Sequence, residues 1–252
     1  MKNISLNNIK NKIINFIKKL SCVLFPISCT ICSKILPSND YTRLCDECEK
    51  TIKKNSTLFC VLCALPLEHG GMHCPTCIKI KNTPYEFIRS AGIYEGPLKK
   101  LIIGLKYQTK HYCARALAKL LAQTYSQYFN DKCIDLLIPT PMHPLKKLFR
   151  SYNHCELLSK ELSKLINIKV CNNTLVKIKH TRSQAKLKRA QRLNNLKNAF
   201  KINNSKTIEQ KNILLIDDVC TTTATIHECA IILKKAGAAK VYVITVARDI
   251  KH

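Results

Sequence analysis

The sequence predicts an α/β fold: a mostly parallel sheet flanked by helices, preceded by a small cysteine-rich module. Three observations predict it. Apolar strand-like runs alternate with helical patterns from Glu86 onward. Eight cysteines in four C-x-x-C pairs crowd residues 29–77, and the pairs then stop. The stretch "ILLIDDVCTTTATIHECA", residues 213–230, sets two acids and a run of hydroxyls between a buried strand and a helix.

At 252 residues with 46% hydrophobic content, the chain can bury one large domain plus a small module. The expected divisions are an amphipathic helix and lead-in over 1–28, the cysteine module over 29–80, and the α/β domain over 86–252. In residues 6–20, Ile9, Ile13, Phe16, Ile17 and Leu20 fall at helical spacing. No run of about 18 apolar residues exists, so no membrane-spanning helix is expected. The apolar run Leu20 to Ile31 is broken by Pro26 and lacks a small-residue cleavage site, which argues against a secretory signal. The implied location is the cytoplasm.

Next along the chain, "EFIRSAGIYEG" reads as strand. "PLKKLIIGLKY" and "HYCARALAKLLAQTYSQYF" read as helices. "IDLLIPTP" reads as a buried strand running into a proline-punctuated loop, and "SYNHCELLSKELSKLI" as another helix. "KNILLIDDV", "TIHECAIILKKAG" and "KVYVITVAR" close the domain as strand, helix, strand. Gly237 falls where a helix would end.

The formal charge is +26, from 42 basic against 16 acidic residues. Such a field attracts polyanions, nucleic acid or phosphate-rich metabolites. Only eight of the 42 are arginine. That lysine excess, beside abundant Asn and Ile, also fits codon bias in an AT-rich genome. With nine tyrosines, seven phenylalanines and no tryptophan, any base-stacking platform would be small.

Fifteen cysteines, an odd number, argue against a disulfide scaffold and for bound metal in a reducing compartment. Cys29, Cys32, Cys45 and Cys48 form one quartet, and Cys60, Cys63, Cys74 and Cys77 another, with 12 and 10 residues between the pairs. A C-x-x-C turn puts two thiolates on one ion, and a second turn completes a tetrahedron that suits zinc. Two zinc ions are expected, paired within each quartet. An interleaved pairing and an iron–sulfur cluster are the alternatives. His69 and His73 read as surface residues. Cys22, Cys113, Cys133, Cys155, Cys171, Cys220 and Cys229 lack metal spacing and read mostly as small apolar residues.

After the strand Ile213–Ile216, the loop Cys220 to Thr225 enters a helix near Thr225 or Ile226. Free N–H groups and the positive helix end suit a phosphate there. Thr221, Thr222 and Thr225 add hydroxyl donors. Asp217 and Asp218 would repel a phosphate but accept well from a sugar diol. A ribose 5-phosphate needs both features together. The other reading is that the two acids merely cap the loop.

"ILLIDDVCTTTAT" resembles the phosphoribosyl-pyrophosphate (PRPP) motif of type I phosphoribosyltransferases. The whole chain resembles the ComF family of competence-related proteins, which join a double zinc ribbon to a phosphoribosyltransferase-like domain. "LFPISCTIC", the later C-x-x-C pairs, "YEGPLKKLIIGLKY", "PTPMHPLKKLFRSYNHCELL", "HTRSQAKLKRAQRLNNLKNAF" and "VITVAR" carry the likeness in this order. The resemblance implies that Asp217 and Asp218 hold the ribose hydroxyls and that Thr221, Thr222, Thr223 and Thr225 surround the 5-phosphate. It implies that Lys106 and Tyr107 sit at the pyrophosphate and its magnesium. Arg150 and Asn153 match residues after the Pro-His-Pro loop, and Thr181, Gln184, Arg192 and Asn195 match a segment that closes over the ligand. It also implies DNA uptake in natural transformation, handling of single-stranded DNA, and partners such as a helicase. The alternative is an active phosphoribosyltransferase of nucleotide metabolism or salvage, although no base-recognition pattern for an acceptor is visible.

Two departures stand out. Thr223 replaces the family's usual glycine, where a β-branched side chain at positive φ costs about 1–2 kcal/mol. Ser151 and His154 stand where the family tends to have glycine and glutamine. His143, between Pro141 and Pro144, fits a structural or a functional role equally.

Overall fold

The computed structural model describes residues 26–55, 58–80, 82–108, 110–179, 181 and 196–250. The expected N-terminal helix over 6–20, together with Cys22, Gln184, Arg192 and Asn195, lies outside them.

The sheet has strands β1 (Ile88–Ile93), β2 (Leu136–Pro139), β5 (Asn212–Cys220) and β6 (Lys240–Arg248), in the order β1-β6-β5-β2, all parallel. A separate antiparallel pair, β3 (Leu175–Lys177) with β4 (Phe200–Ile202), was not legible in the sequence: three residues are too few for a period to appear. The helices are α1 (Asp46–Lys50), α2 (Gly96–Tyr107), α3 (Cys113–Tyr128), α4 (Pro144–Arg150), α5 (His154–Ile166) and α6 (Ala224–Lys235). Among the described residues, no helix is long and apolar enough to cross a membrane.

The central strands are apolar on both faces, as a covered parallel sheet demands. Strand alternation sends Leu214, Ile216, Tyr242, Ile244 and Val246 to one face, under α2, α3 and α5. Ile213, Leu215, Val241 and Val243 go to the other, under α6 and the β3–β4 pair. The cysteine module divides in the same way. Cys29, Cys45 and Cys48 join the first core, and Cys60, Cys63, Cys74 and Cys77 the second.

The module meets the sheet along β1, where Ile93 N donates to Lys53 O at 2.9 Å and Ile88 N to Leu62 O at 2.8 Å. Gly92 makes this approach possible, since a Cβ there would lie 2.7 Å from Lys53 O. The doubled cysteine unit repeats in its hydrogen bonds. Cys29 N donates to Lys34 O and Ser33 N to Cys29 O; Cys60 N donates to Leu65 O and Ala64 N to Cys60 O. Ser33 and Ala64, each just after a C-x-x-C pair, both hold positive φ.

β5 runs past the apolar stretch Ile213–Ile216 to Cys220 beside β6, with Asp217 opposite Thr245. β2 ends at Pro139, opposite Ile216. The two acids therefore stand on a strand that has outrun its neighbour, at the open C-terminal edge of the sheet.

Candidate functional site

That edge carries a cavity of about 390 Å³. Lys106, Tyr107, Arg150, Asn153, Asp217, Asp218, Thr221 and Thr225 all line it, so residues spread over most of the α/β domain meet in one place. Ligands of open α/β sheets bind at such an edge.

The diacid is built into the fold. Asp217 Oδ1 accepts from Thr140 Oγ1 at 2.8 Å and from Asp218 N at 2.9 Å. Asp218 Oδ1 accepts from Val219 N at 2.6 Å, and its Oδ2 faces Lys106 Nζ at 2.7 Å and His154 Nε2 at 2.5 Å. The two carboxyls consequently titrate apart. Burial, then the neighbouring Asp218 charge, pushes Asp217 up to about 6. Burial acts in the same direction on Asp218, but Lys106 and His154 outweigh it and hold that carboxyl well below the usual range. Lys106 is raised to about 12: burial lowers it, and the Asp218 charge more than offsets that.

Asn153 caps α5, accepting from Cys155 N at 3.0 Å while donating to Thr140 O at 3.1 Å. It therefore has a helix-entry role and a place in the cavity wall. Arg150 lines the same cavity, its guanidinium 4.7 Å from the centre of the Tyr107 ring. His143 caps α4, its Nδ1 accepting from Leu145 N. The backbone carbonyl of Thr181 accepts from Lys146 Nζ at 3.2 Å.

The loop ahead of α6 forms a small cleft lined by Thr221, Thr223, Ala224 and Thr225. Thr222 is the exception among the expected phosphate residues. It turns toward the second cysteine cluster, where its hydroxyl is buried without a partner. Thr223 has φ +62° and Ser151 φ +64°. The left-handed turns are thus kept at both positions where glycine was expected.

Sequence reasoning missed Thr140, Lys146, Cys155 and Lys177 in the cavity wall. The two lysines carried no signal in a lysine-rich chain. Burial, then the charge of Lys146, lowers Lys177 to about 8, as two cations held close together require.

The two cysteine quartets assemble as expected. In each, the four sulfurs lie within 4.8 Å of one another, and all but Cys32 are buried. Four converging thiols with no disulfide among them fit one tetrahedral zinc per cluster. His69 and His73 are exposed and stand apart from both clusters.

Residues 20–78 match the double zinc ribbon domain. The chain is 34% identical over 209 residues to competence protein F of Haemophilus influenzae, covering 81% of this chain and 90% of that protein. It is 28% identical over 228 residues to the DNA utilization protein YhgH of Salmonella typhimurium, covering 89% and 98%. It is 26% identical over 213 residues to competence protein ComFC of Bacillus subtilis, covering 82% and 85%. Among solved structures, it is similar to the glutamine PRPP amidotransferase of B. subtilis, with 17% identity and a TM-score of 0.38 over 57% of this chain and 30% of that one. With a relative 34% identical across most of both chains, and the double zinc ribbon in place ahead of a parallel sheet, this chain belongs to the ComF family of competence-related proteins.

Proposed function

We propose that the cavity binds PRPP or a related ribose phosphate with Mg²⁺, and that the protein serves DNA uptake by handling single-stranded DNA. One observation carries the ligand half: a buried diacid and a hydroxyl-lined helix entrance open onto the same cavity. The loop amides and Thr221, Thr223 and Thr225 would take the 5-phosphate. Asp217 and Asp218 would accept from the ribose hydroxyls, and Lys106 and Arg150 would face the pyrophosphate.

Asp218 favours binding over turnover as the main role. Lys106 and His154 already share its Oδ2, so the ribose diol must compete with two donors for that carboxylate. The DNA half is supported by relatives named for competence and DNA utilization, and by the net charge of +26.

Calorimetry with Mg·PRPP is the test, on the parent and on the Asp217→Asn, Asp218→Asn double variant. Heat in the parent and none in the variant is expected; no heat in the parent overturns the ligand reading. Pyrophosphate release across a panel of bases would mark an active transferase instead. Single-stranded DNA binding should weaken steeply with salt, and a flat response counts against direct DNA contact.

A further inference from the structure

The second cysteine cluster and the phosphate loop share a wall. A pocket of about 40 Å³ is lined by Cys63, Cys74 and Cys77 together with Thr222, Thr223 and Arg248. Arg248 is 4% exposed, the last residue of β6. Its Nη1 donates to Cys220 O at 2.7 Å and also to Thr221 O, the two carbonyls that open the loop. Its guanidinium and the Cys63 thiol line the same pocket.

A buried guanidinium needs a counter-charge. Among the described residues, Arg248 forms no ion pair with a carboxylate. Four thiolates around one Zn²⁺ leave a net charge of −2, and Cys63 is one of those thiolates. The second zinc centre thus supplies the anion that Arg248 otherwise lacks. The first cluster packs on the opposite face of the sheet and touches no part of this arrangement.

We infer that Arg248 is a positioning residue that couples the zinc centre of Cys60, Cys63, Cys74 and Cys77 to the phosphate loop. Zinc holds Cys63 as a thiolate, Cys63 anchors the guanidinium, and the guanidinium fixes the carbonyls of Cys220 and Thr221, so that the following amides point into the cleft. Linkage makes the effect reciprocal: a ligand in the cleft tightens the second zinc and leaves the first alone. The ligand arm rests on the ribose-phosphate reading; the zinc-to-loop arm does not.

The test uses the full-length, zinc-loaded protein. A chromogenic chelator should draw zinc in two phases, one per cluster. Saturating ribose 5-phosphate, chosen because it lacks the metal-binding pyrophosphate, should slow one phase by about tenfold. That phase should persist in Cys48→Ser, which disables the first cluster. Arg248→Gln should keep two zinc ions yet lose the ligand effect, and its amides at Thr221–Ala224 should exchange faster with solvent. If ribose 5-phosphate binds by calorimetry but slows neither phase, the inference is overturned and the ligand reading stands. If it does not bind, the ligand reading fails, and unchanged exchange at Thr221–Ala224 in Arg248→Gln overturns the inference independently. Should Arg248→Gln not fold, exchange at those amides in Cys77→Ser decides: faster exchange supports the coupling, unchanged exchange overturns it.

Discussion

Lys106 Nζ lies 2.7 Å from Asp218 Oδ2, with the two side chains 17% and 8% exposed. Lys106 lies in the last turn of α2, and Asp218 stands on the overhanging end of β5, so the pair ties the two elements together at the cavity. Removing one partner of a buried pair leaves the other charge uncompensated. Lys106→Met should therefore cost about 3 kcal/mol, read from urea unfolding at neutral pH. Were the cost below about 0.5 kcal/mol, in the range of an exposed pair, the ion pair would have no structural weight.

Asp218 also sets an acid limit on the fold. Its carboxyl is held below its ordinary value of 3.8, so its contribution is present above that pH and is lost as pH falls beneath it. Asp218→Asn should be less stable than the parent at pH 7, and the gap should narrow toward pH 3. Parallel stability curves would contradict this sign.

Asp217 behaves in the opposite sense. Its folded value of about 6 exceeds the ordinary 3.8, so folding takes up a proton between those values and stability falls as pH rises through 6. Asp217→Asn keeps the acceptor for Thr140 and should stabilise the protein at pH 8 while changing little below the ordinary value of 3.8. Mg·PRPP affinity should rise from pH 5 to pH 7 as the carboxylate ionises, and the variant should flatten that profile in calorimetry.

The two left-handed residues should both respond to glycine. Ser151 is exposed at the end of α4, and Ser151→Gly should stabilise by about 1 kcal/mol in thermal unfolding. Thr223 makes no side-chain capping bond to α6, so Thr223→Gly should stabilise by a similar amount. No gain from either glycine would show that these positions carry no backbone strain.

Metal analysis should find two zinc ions per chain, with Cys48→Ser and Cys77→Ser each losing one. Because the two clusters pack into different cores, each loss should lower the unfolding temperature separately.

Much of the fold was legible because its signals are local. Runs such as Ile213–Ile216 and Val241–Ile244 are apolar without alternation and mark central strands of a covered sheet. The C-x-x-C pairs declare metal by spacing alone. The β3–β4 pair was not legible, because it is too short to show a period. Asp217 and Asp218 are poor strand residues, yet β5 runs through them to Cys220, with Asp217 opposite Thr245 of β6.

By itself, the sequence determined the residue types of the site: two acids, a hydroxyl-rich helix entrance, two quartets of thiols and the positions where glycine is missing. Only the tertiary structure decided how these groups are shared. It gave one oxygen of Asp218 to both Lys106 and His154, turned Thr222 away from the other threonines, sent the two clusters to opposite faces of the sheet, and placed Arg248 beside zinc ligands and loop carbonyls. The reason is physical. Residue type and spacing fix what a group can bind, whereas charge pairing and pKa depend on distances of a few ångströms between residues far apart in the chain.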